Sequence, residues 1–315
     1  MTQLSFHILF NGSSGTALAG TLTADELVRR LAELGHSVSL DADSARPFEE
    51  RLRTAANSPA PVLLAAGGDG TATALAEVAL ETGKTLALLP LGTANLLARD
   101  LNLPLTVDDW FAALPEMTER TIDAGEVNGR IFLHKVVIGG VPRIAVVREK
   151  IRGRGDLGAR LGFLSHFVRH LSRLRRFAVE VRPEDGQPMI HRVQSIAVVN
   201  NDYDEGLGKV FARSRLDGGF LSLYIVRSLS LADALRLSAE MLLGNWRNDD
   251  VLEVENVSAV TVRIRQRRAR VMIDGEVQLL DGPFDFRIRP GALKILAPPP
   301  AQAVAEDAYE AAVAS

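Results

Sequence analysis

Gly67-Gly68-Asp69-Gly70-Thr71 packs three glycines, a carboxylate and a hydroxyl into five consecutive residues. An apolar run, 62–66, precedes it and an alanine-rich segment, 72–80, follows, so the order reads buried strand, glycine turn, helix. Such a turn aims backbone N–H groups and the positive end of a helix at one point, where an anion is favoured. Glycine lets the backbone approach that anion closely, and phosphate is the expected guest. The alternative is a tight strand–helix connection in which the glycines only satisfy geometry. Spacing excludes both the P-loop pattern and G-x-G-x-x-G. A second glycine turn, Pro90-Leu91-Gly92-Thr93-Ala94-Asn95, and a carboxylate pair, Asp274-Gly275-Glu276, complete the chemistry-bearing segments. Asp-Gly is also a strong hairpin signal, and a hairpin turn and a catalytic site are compatible at one place.

The elements that must position these residues fall into two textures. Over 1–122 the chain alternates strand (6–10), helix (22–34, capped by Thr23 and stopped near Gly35), strand (37–40), helix (48–56), strand (62–66), helix (72–80), strand (85–89) and helix (94–101). This alternation predicts a parallel sheet covered on both faces, with ligands outside the carboxyl ends of the strands. Three turns fall at such ends, 11–15, 67–71 and 90–95, and one shared site is expected there. Beyond residue 122, segments rich in Val and Ile at 131–138, 178–182, 195–200, 221–226, 257–264 and 270–273 predict a mainly antiparallel second domain over 123–296. The tail, 297–315, is expected to be flexible.

Composition narrows the function. The chain has 315 residues, 47% of them apolar, enough for two domains. A formal net charge of −3 gives no global basic field for nucleic acid. Cysteine is absent, which removes disulfides, thiolate metal sites and thiol nucleophiles. No signal peptide and no apolar stretch of about 20 residues is evident, so a soluble, cytoplasmic protein is expected. Arg148 opens and Arg176 closes a strongly basic segment, in which Leu157, Leu161, Leu164, Val168 and Leu171 recur at helical spacing. Two readings stand: a helix resting on an anionic membrane surface, or one packed on its own domain with a solvated basic face. His166 and His170 lack the H-E-x-x-H context, and Trp110, Trp246, Phe163 and Phe167 are expected in packing roles.

The two glycine turns followed by Asp274-Gly275-Glu276 occur in one order, and on them the chain resembles the bacterial diacylglycerol kinase-like lipid kinases, whose catalytic domain is shared with sphingosine kinases. The first motif alone also occurs in NAD kinases and phosphofructokinases. The resemblance, from Phe6 to Leu296, implies an NAD kinase/phosphofructokinase-like α/β domain plus a β-sandwich domain, with ATP and Mg²⁺ as cofactors and a membrane lipid as substrate, diacylglycerol foremost. It implies nucleotide contacts from Asn11, Ser14, Gly15, Gly67, Gly68, Asp69, Gly70, Thr71, Thr73, Thr93 and Asn95. Glu276 matches the proton acceptor, with Asp274 beside it, and Asp69 is expected to face Mg²⁺. Asp217 is the candidate for a structural Mg²⁺, although a plain turn at Leu216-Asp217-Gly218-Gly219-Phe220 explains that segment as well. These roles suit phosphoryl transfer, which needs alignment, charge neutralisation and a carboxylate for the acceptor hydroxyl.

The chain departs from the family pattern at several places. Gly12 replaces a proline, and Thr73-Ala74 and Leu96 stand where carboxylates or their neighbours are usual. The threonine expected after the second strand is not evident around Ser39 to Asp41. An NAD kinase, or a nucleotide-binding regulator without catalysis, is the alternative.

Overall fold

The computed structural model of the protein describes residues 3–12, 22–139, 176–184, 186–204, 212–228 and 251–299, with 230, 232–233, 236–237, 240, 243 and 246. Ser14, Gly15, His166, His170, Phe163, Phe167, the tail beyond 299 and all of the basic segment except Arg176 lie outside these residues. The chain divides into two compact units, Met1–Arg120 with Leu293–Ser315, and Thr121–Ala292.

The first unit alternates β1 (Ser5–Phe10), α1 (Ala24–Glu33), β2 (Ser37–Asp41), α2 (Phe48–Asn57), β3 (Val62–Gly67), α3 (Asp69–Thr82) and β4 (Thr85–Pro90), then continues into α4 (Leu96–Asp100) and α5 (Val107–Ala113). Thr23 opens α1 by accepting the Glu26 amide at 3.2 Å, and Asp25 and Glu26 favour the positive end of the helix. Leu27 and Leu31, four apart, are its buried stripe. The strands are parallel in the order β2-β1-β3-β4, with Ile8 opposite Leu64 and Leu64 opposite Ala87. Every residue of β3 and β4 is buried, whereas β2 at the edge is mostly exposed. Central parallel strands, covered on both faces, therefore read as continuous apolar runs. Chain order reverses across β1 and β3, the switch point at which open parallel sheets bind ligands. Trp110 is fully buried on α5 and donates its indole N–H to the Leu88 carbonyl at 2.7 Å.

The second unit is a sandwich of antiparallel strands. One sheet, in the order β12-β11-β10-β7-β14-β15, joins β7 (Lys135–Gly139), β10 (Ser195–Asn200), β11 (Leu221–Val226), β12 (Leu252–Val257), β14 (Arg268–Ile273) and β15 (Glu276–Asp281). The other strands are β5 (Thr118–Val127), β6 (Arg130–Phe132), β8 (Phe177–Pro183), β9 (Met189–Val193), β13 (Ala259–Ile264) and the first half of β16 (Phe284–Ala297). Val136, Ile138, Val198, Leu223 and Val271 from the first sheet meet Val179, Val181, Val262, Phe284 and Phe286 from the second in one buried core. Trp246 joins a smaller cluster with Tyr203, Tyr224 and Val199.

Four boundaries differ from the sequence reading. Helix α3 starts at Asp69, not residue 72, because Gly68 takes the extended cap conformation and its carbonyl accepts the Ala72 amide at 3.0 Å. Helix α4 starts at Leu96, since Asn95 is left-handed at φ 49°. The run 131–138 breaks into β6 and β7 at Leu133-His134, whose amides are taken by Asp274. Finally, the end of the strand read near 296 joins the parallel sheet, with Ile295 and Leu296 beside Leu86 and Ala87.

Candidate active site

At the carboxyl edge of the parallel sheet the three turns are tied to one another. The Asn11 amide, just past β1, donates to the Ala66 carbonyl at 2.9 Å, and its side-chain Nδ2 donates to Thr71 Oγ1 at 3.1 Å. Asp69, in the first turn of α3, accepts the Asn95 amide on Oδ2 at 2.9 Å and the Leu96 amide on Oδ1 at 2.6 Å. The Asn95 side chain clasps its own turn, accepting from the Gly92 amide at 3.0 Å and donating to the Gly92 carbonyl at 2.9 Å. The two glycine turns approach so closely that a Cβ on Gly92 would lie 2.6 Å from Gly68 Cα. Only glycine fits there. Gly67, Thr71 and Asn95 are buried, Gly68, Asp69 and Thr73 half-buried, and Gly70 and Thr93 exposed.

The result is a concave rim carrying the first-turn amides of α3, which helix geometry leaves without intrahelical acceptors. Burial pushes the Asp69 carboxyl above the usual carboxylate range, while the amides of Leu96, Asn95 and Asp69 itself and the charge of Arg99 pull it down. Each Asp69 oxygen retains lone-pair capacity beyond its amide. One carboxylate combined with nucleotide phosphates and water is a normal donor set for Mg²⁺, so the residue fits a metal held in this way.

A buried ion pair braces the same edge. Arg51 on α2 donates to Asp41 Oδ1 at 2.8 Å, to the Asp41 carbonyl at 2.9 Å and to the Phe10 carbonyl at 2.7 Å. Arg46 adds a contact to Asp41 Oδ2 at 3.1 Å. Asp41 and Phe10 are the last residues of β2 and β1, so Arg51 fixes the strand ends from which the Asn11 turn departs. Asp41 thus ends the second strand, where the family resemblance leads one to expect a threonine, and its carboxylate serves these arginines. No local sequence signal marks a pair ten residues apart.

In the second unit, Ile273 pairs with Glu276 across a two-residue turn whose members, Asp274 and Gly275, have φ of 46° and 95°. Both values are positive, as a type I′ hairpin requires. The Asp274 carboxylate accepts three amides: Leu133 at 2.7 Å, His134 at 2.9 Å and Lys135 at 2.8 Å. Its own amide donates to the Lys135 carbonyl at 2.9 Å. Burial raises the Asp274 pKa against the pull of those amides and of Arg213. Asp274 is therefore committed to backbone, whereas Glu276, the first residue of β15, is exposed to solvent. Of the two, Glu276 is the more exposed.

Asp217 sits in a solvent-exposed loop. Its side chain is exposed and lies 3.4 Å from Arg215. The Gly218 amide is taken by Asn201 Oδ1 at 2.7 Å, and a Cβ at Gly218 would sit 2.6 Å from that same oxygen. Among the described residues no group of three or more His, Asp or Glu side chains could hold an ion.

A parallel α/β unit with a glycine rim at the carboxyl ends of its strands, and an antiparallel sandwich, make up a two-domain kinase fold. Residues 5–127 match the diacylglycerol kinase catalytic domain, and 137–297 match the YegS C-terminal NAD kinase beta sandwich-like domain. A diacylglycerol kinase of Bacillus subtilis is 26% identical over 88% of this chain and 91% of its own length. A probable lipid kinase, YegS-like, of Pseudomonas aeruginosa is 30% identical over 82% of each chain. The crystal structure of a putative diacylglycerol kinase from Bacillus anthracis superposes with a TM-score of 0.71 at 18% identity, covering 94% of this chain and 98% of the other. The chain belongs to the diacylglycerol kinase and YegS-like family of lipid kinases. Among the described residues no helix is long and apolar enough to cross a membrane.

Proposed function

We propose that the protein transfers the γ-phosphate of ATP to a hydroxyl of a membrane lipid, with diacylglycerol as the leading acceptor. The observation that carries this reading is the Asp69 tie, which turns two separate glycine turns into one rigid phosphate rim. In the reaction, the amides of Gly68, Gly70 and Thr71 hold the phosphates, and Asn11 orients Thr71 through its hydroxyl. Thr93, exposed on the second turn, and Thr73, on α3, lie close enough in sequence to the rim to contact the nucleotide. Asp69 would hold Mg²⁺, directly or through water, and the ion would supply neutralisation of charge on the transferring phosphoryl group. Glu276 accepts the proton of the acceptor hydroxyl. Asp274 serves as its positioning group, fixing the turn that precedes it.

The substrate class rests on the family and on the names of its members. The basic segment 148–176 is proposed to touch an anionic membrane surface, where a lipid acceptor resides. Turnover on diacylglycerol, a sphingoid base and NAD, each with and without anionic vesicles, tests the whole reading. Phosphorylation of diacylglycerol that rises with vesicles is expected. Phosphorylation of NAD alone, indifferent to vesicles, would replace it.

A further inference from the structure

Arg213 is 1% exposed, deep in the second unit, and no role assigned so far uses it. A guanidinium out of water needs hydrogen-bonding partners, and two of them here are peptide carbonyls. One nitrogen, Nη1, donates to the Leu133 carbonyl at 2.9 Å and to the Asn200 carbonyl at 2.7 Å. Asn200 Nδ2 adds bonds to the carbonyls of Leu133, at 3.2 Å, and Asp123, at 3.0 Å.

The other end of the same peptide unit is equally engaged. The Leu133–His134 peptide has its oxygen on Arg213, and its N–H, that of His134, donates to Asp274 Oδ1 at 2.9 Å. A peptide dipole thus lies with its negative end on a cation and its positive end on an anion. In a low-dielectric interior each of these bonds polarises the other. The amides of Leu133 and Lys135 add two further bonds to the same carboxylate.

We propose that Arg213 is a positioning residue for Glu276, acting through the Leu133–His134 peptide to lock Asp274, and with it the hairpin from which Glu276 starts β15. The proposal rests on the reading of Glu276 as the base. Its electrostatics agree: the Arg213 charge pulls the Asp274 pKa down while burial pushes it up. His134, whose amide Asp274 accepts, is kept neutral by burial first, then by the charges of Arg213 and Lys135, so it adds no competing cation.

The test couples hydrogen exchange to kinetics for Arg213→Met, Arg213→Lys, Asp274→Asn and the double variant Arg213→Met/Asp274→Asn. Exchange at the Leu133, His134 and Lys135 amides should quicken about tenfold or more in Arg213→Met and in Asp274→Asn, and no further in the double variant, because both break one bracket. Amides of Val198 and Leu223 should keep wild-type protection. On diacylglycerol, kcat should fall about tenfold with the ATP KM within about twofold, as expected when only the acceptor side is disturbed. Multiplying effects in the double variant, or unchanged exchange at 133–135, would overturn the proposal. Should Arg213→Met fail to fold, Arg213→Lys decides. It keeps the charge but loses the fork, so intermediate acceleration supports the bracket and wild-type exchange refutes it. A wild-type protein that phosphorylates no lipid removes the reading of Glu276, while exchange still judges the bracket.

Discussion

In the first unit Asp69 secures a turn with two backbone amides from 26 and 27 residues away, and in the second Asp274 does so with three from 139 to 141 residues away. Both are carboxylates that accept backbone amides, and burial raises both pKa values. The difference is how their partners are delivered. β3 and β4 are adjacent parallel strands in matched register, so the turns that follow them emerge side by side. Asp274 meets its amides only because β14 pairs with β7, which requires much of the sandwich to be assembled. The glycine rim is therefore a local consequence of topology, and the Asp274 hairpin a consequence of long-range packing.

The contrast predicts unequal damage. Asp274→Ala leaves three amides without their acceptor and should cost about 3–5 kcal/mol of stability, more than Asp69→Ala at about 2–3 kcal/mol, by urea denaturation. Equal or inverted costs would break the comparison. Arg51→Met leaves the buried Asp41 carboxylate with only the half-exposed Arg46 as cationic partner and should cost about 3 kcal/mol. Arg51→Met with Asp41→Leu should recover much of that loss in stability while ATP affinity stays weakened, since nothing then holds the Phe10 carbonyl. Recovery of both would reduce the pair to packing.

Acid tests the two units together. Burial lowers the pKa of His7 and His36 in the first unit and of His134 in the second below 6.5. The unfolded chain therefore binds protons that the folded protein refuses. Stability is full above about pH 6.5 and falls on acidification, by up to about 1.4 kcal/mol per pH unit for each histidine. Asp69 and Asp274, whose pKa values are raised, act oppositely: their contribution is full below 3.8 and fades as pH rises through their folded values. The histidines begin to lose their contribution just below 6.5. Denaturation curves at pH 7.5 and 5.5 should show the loss, and His134→Asn should flatten it. A flat wild-type profile would contradict the burial account.

Legibility in sequence follows the same division. Thr23 and Gly35 bound the first helix with local signals, and the apolar runs of β3 and β4 announce central parallel strands. Those signals lie within a few residues of what they specify. Asp274-Gly275 is legible as a hairpin turn for the same reason. The amides that Asp274 accepts are not, because they sit on the break in an otherwise continuous apolar run, 131–138, and nothing nearby marks it. Arg213 and the Arg51–Asp41 pair are equally silent, since a buried guanidinium reads in sequence like any surface arginine. The run Leu293-Lys294-Ile295-Leu296 announces a strand but not the sheet it joins.

The central claim is that one exposed carboxylate, Glu276, does the proton chemistry while the glycine rim holds the nucleotide. Labelled γ-phosphate transfer from ATP to diacylglycerol, with ATP affinity measured in parallel, tests it on wild type and Glu276→Ala. The account predicts a fall in kcat of about 10²–10⁴-fold with ATP affinity unchanged. Transfer at the wild-type rate by Glu276→Ala would contradict it.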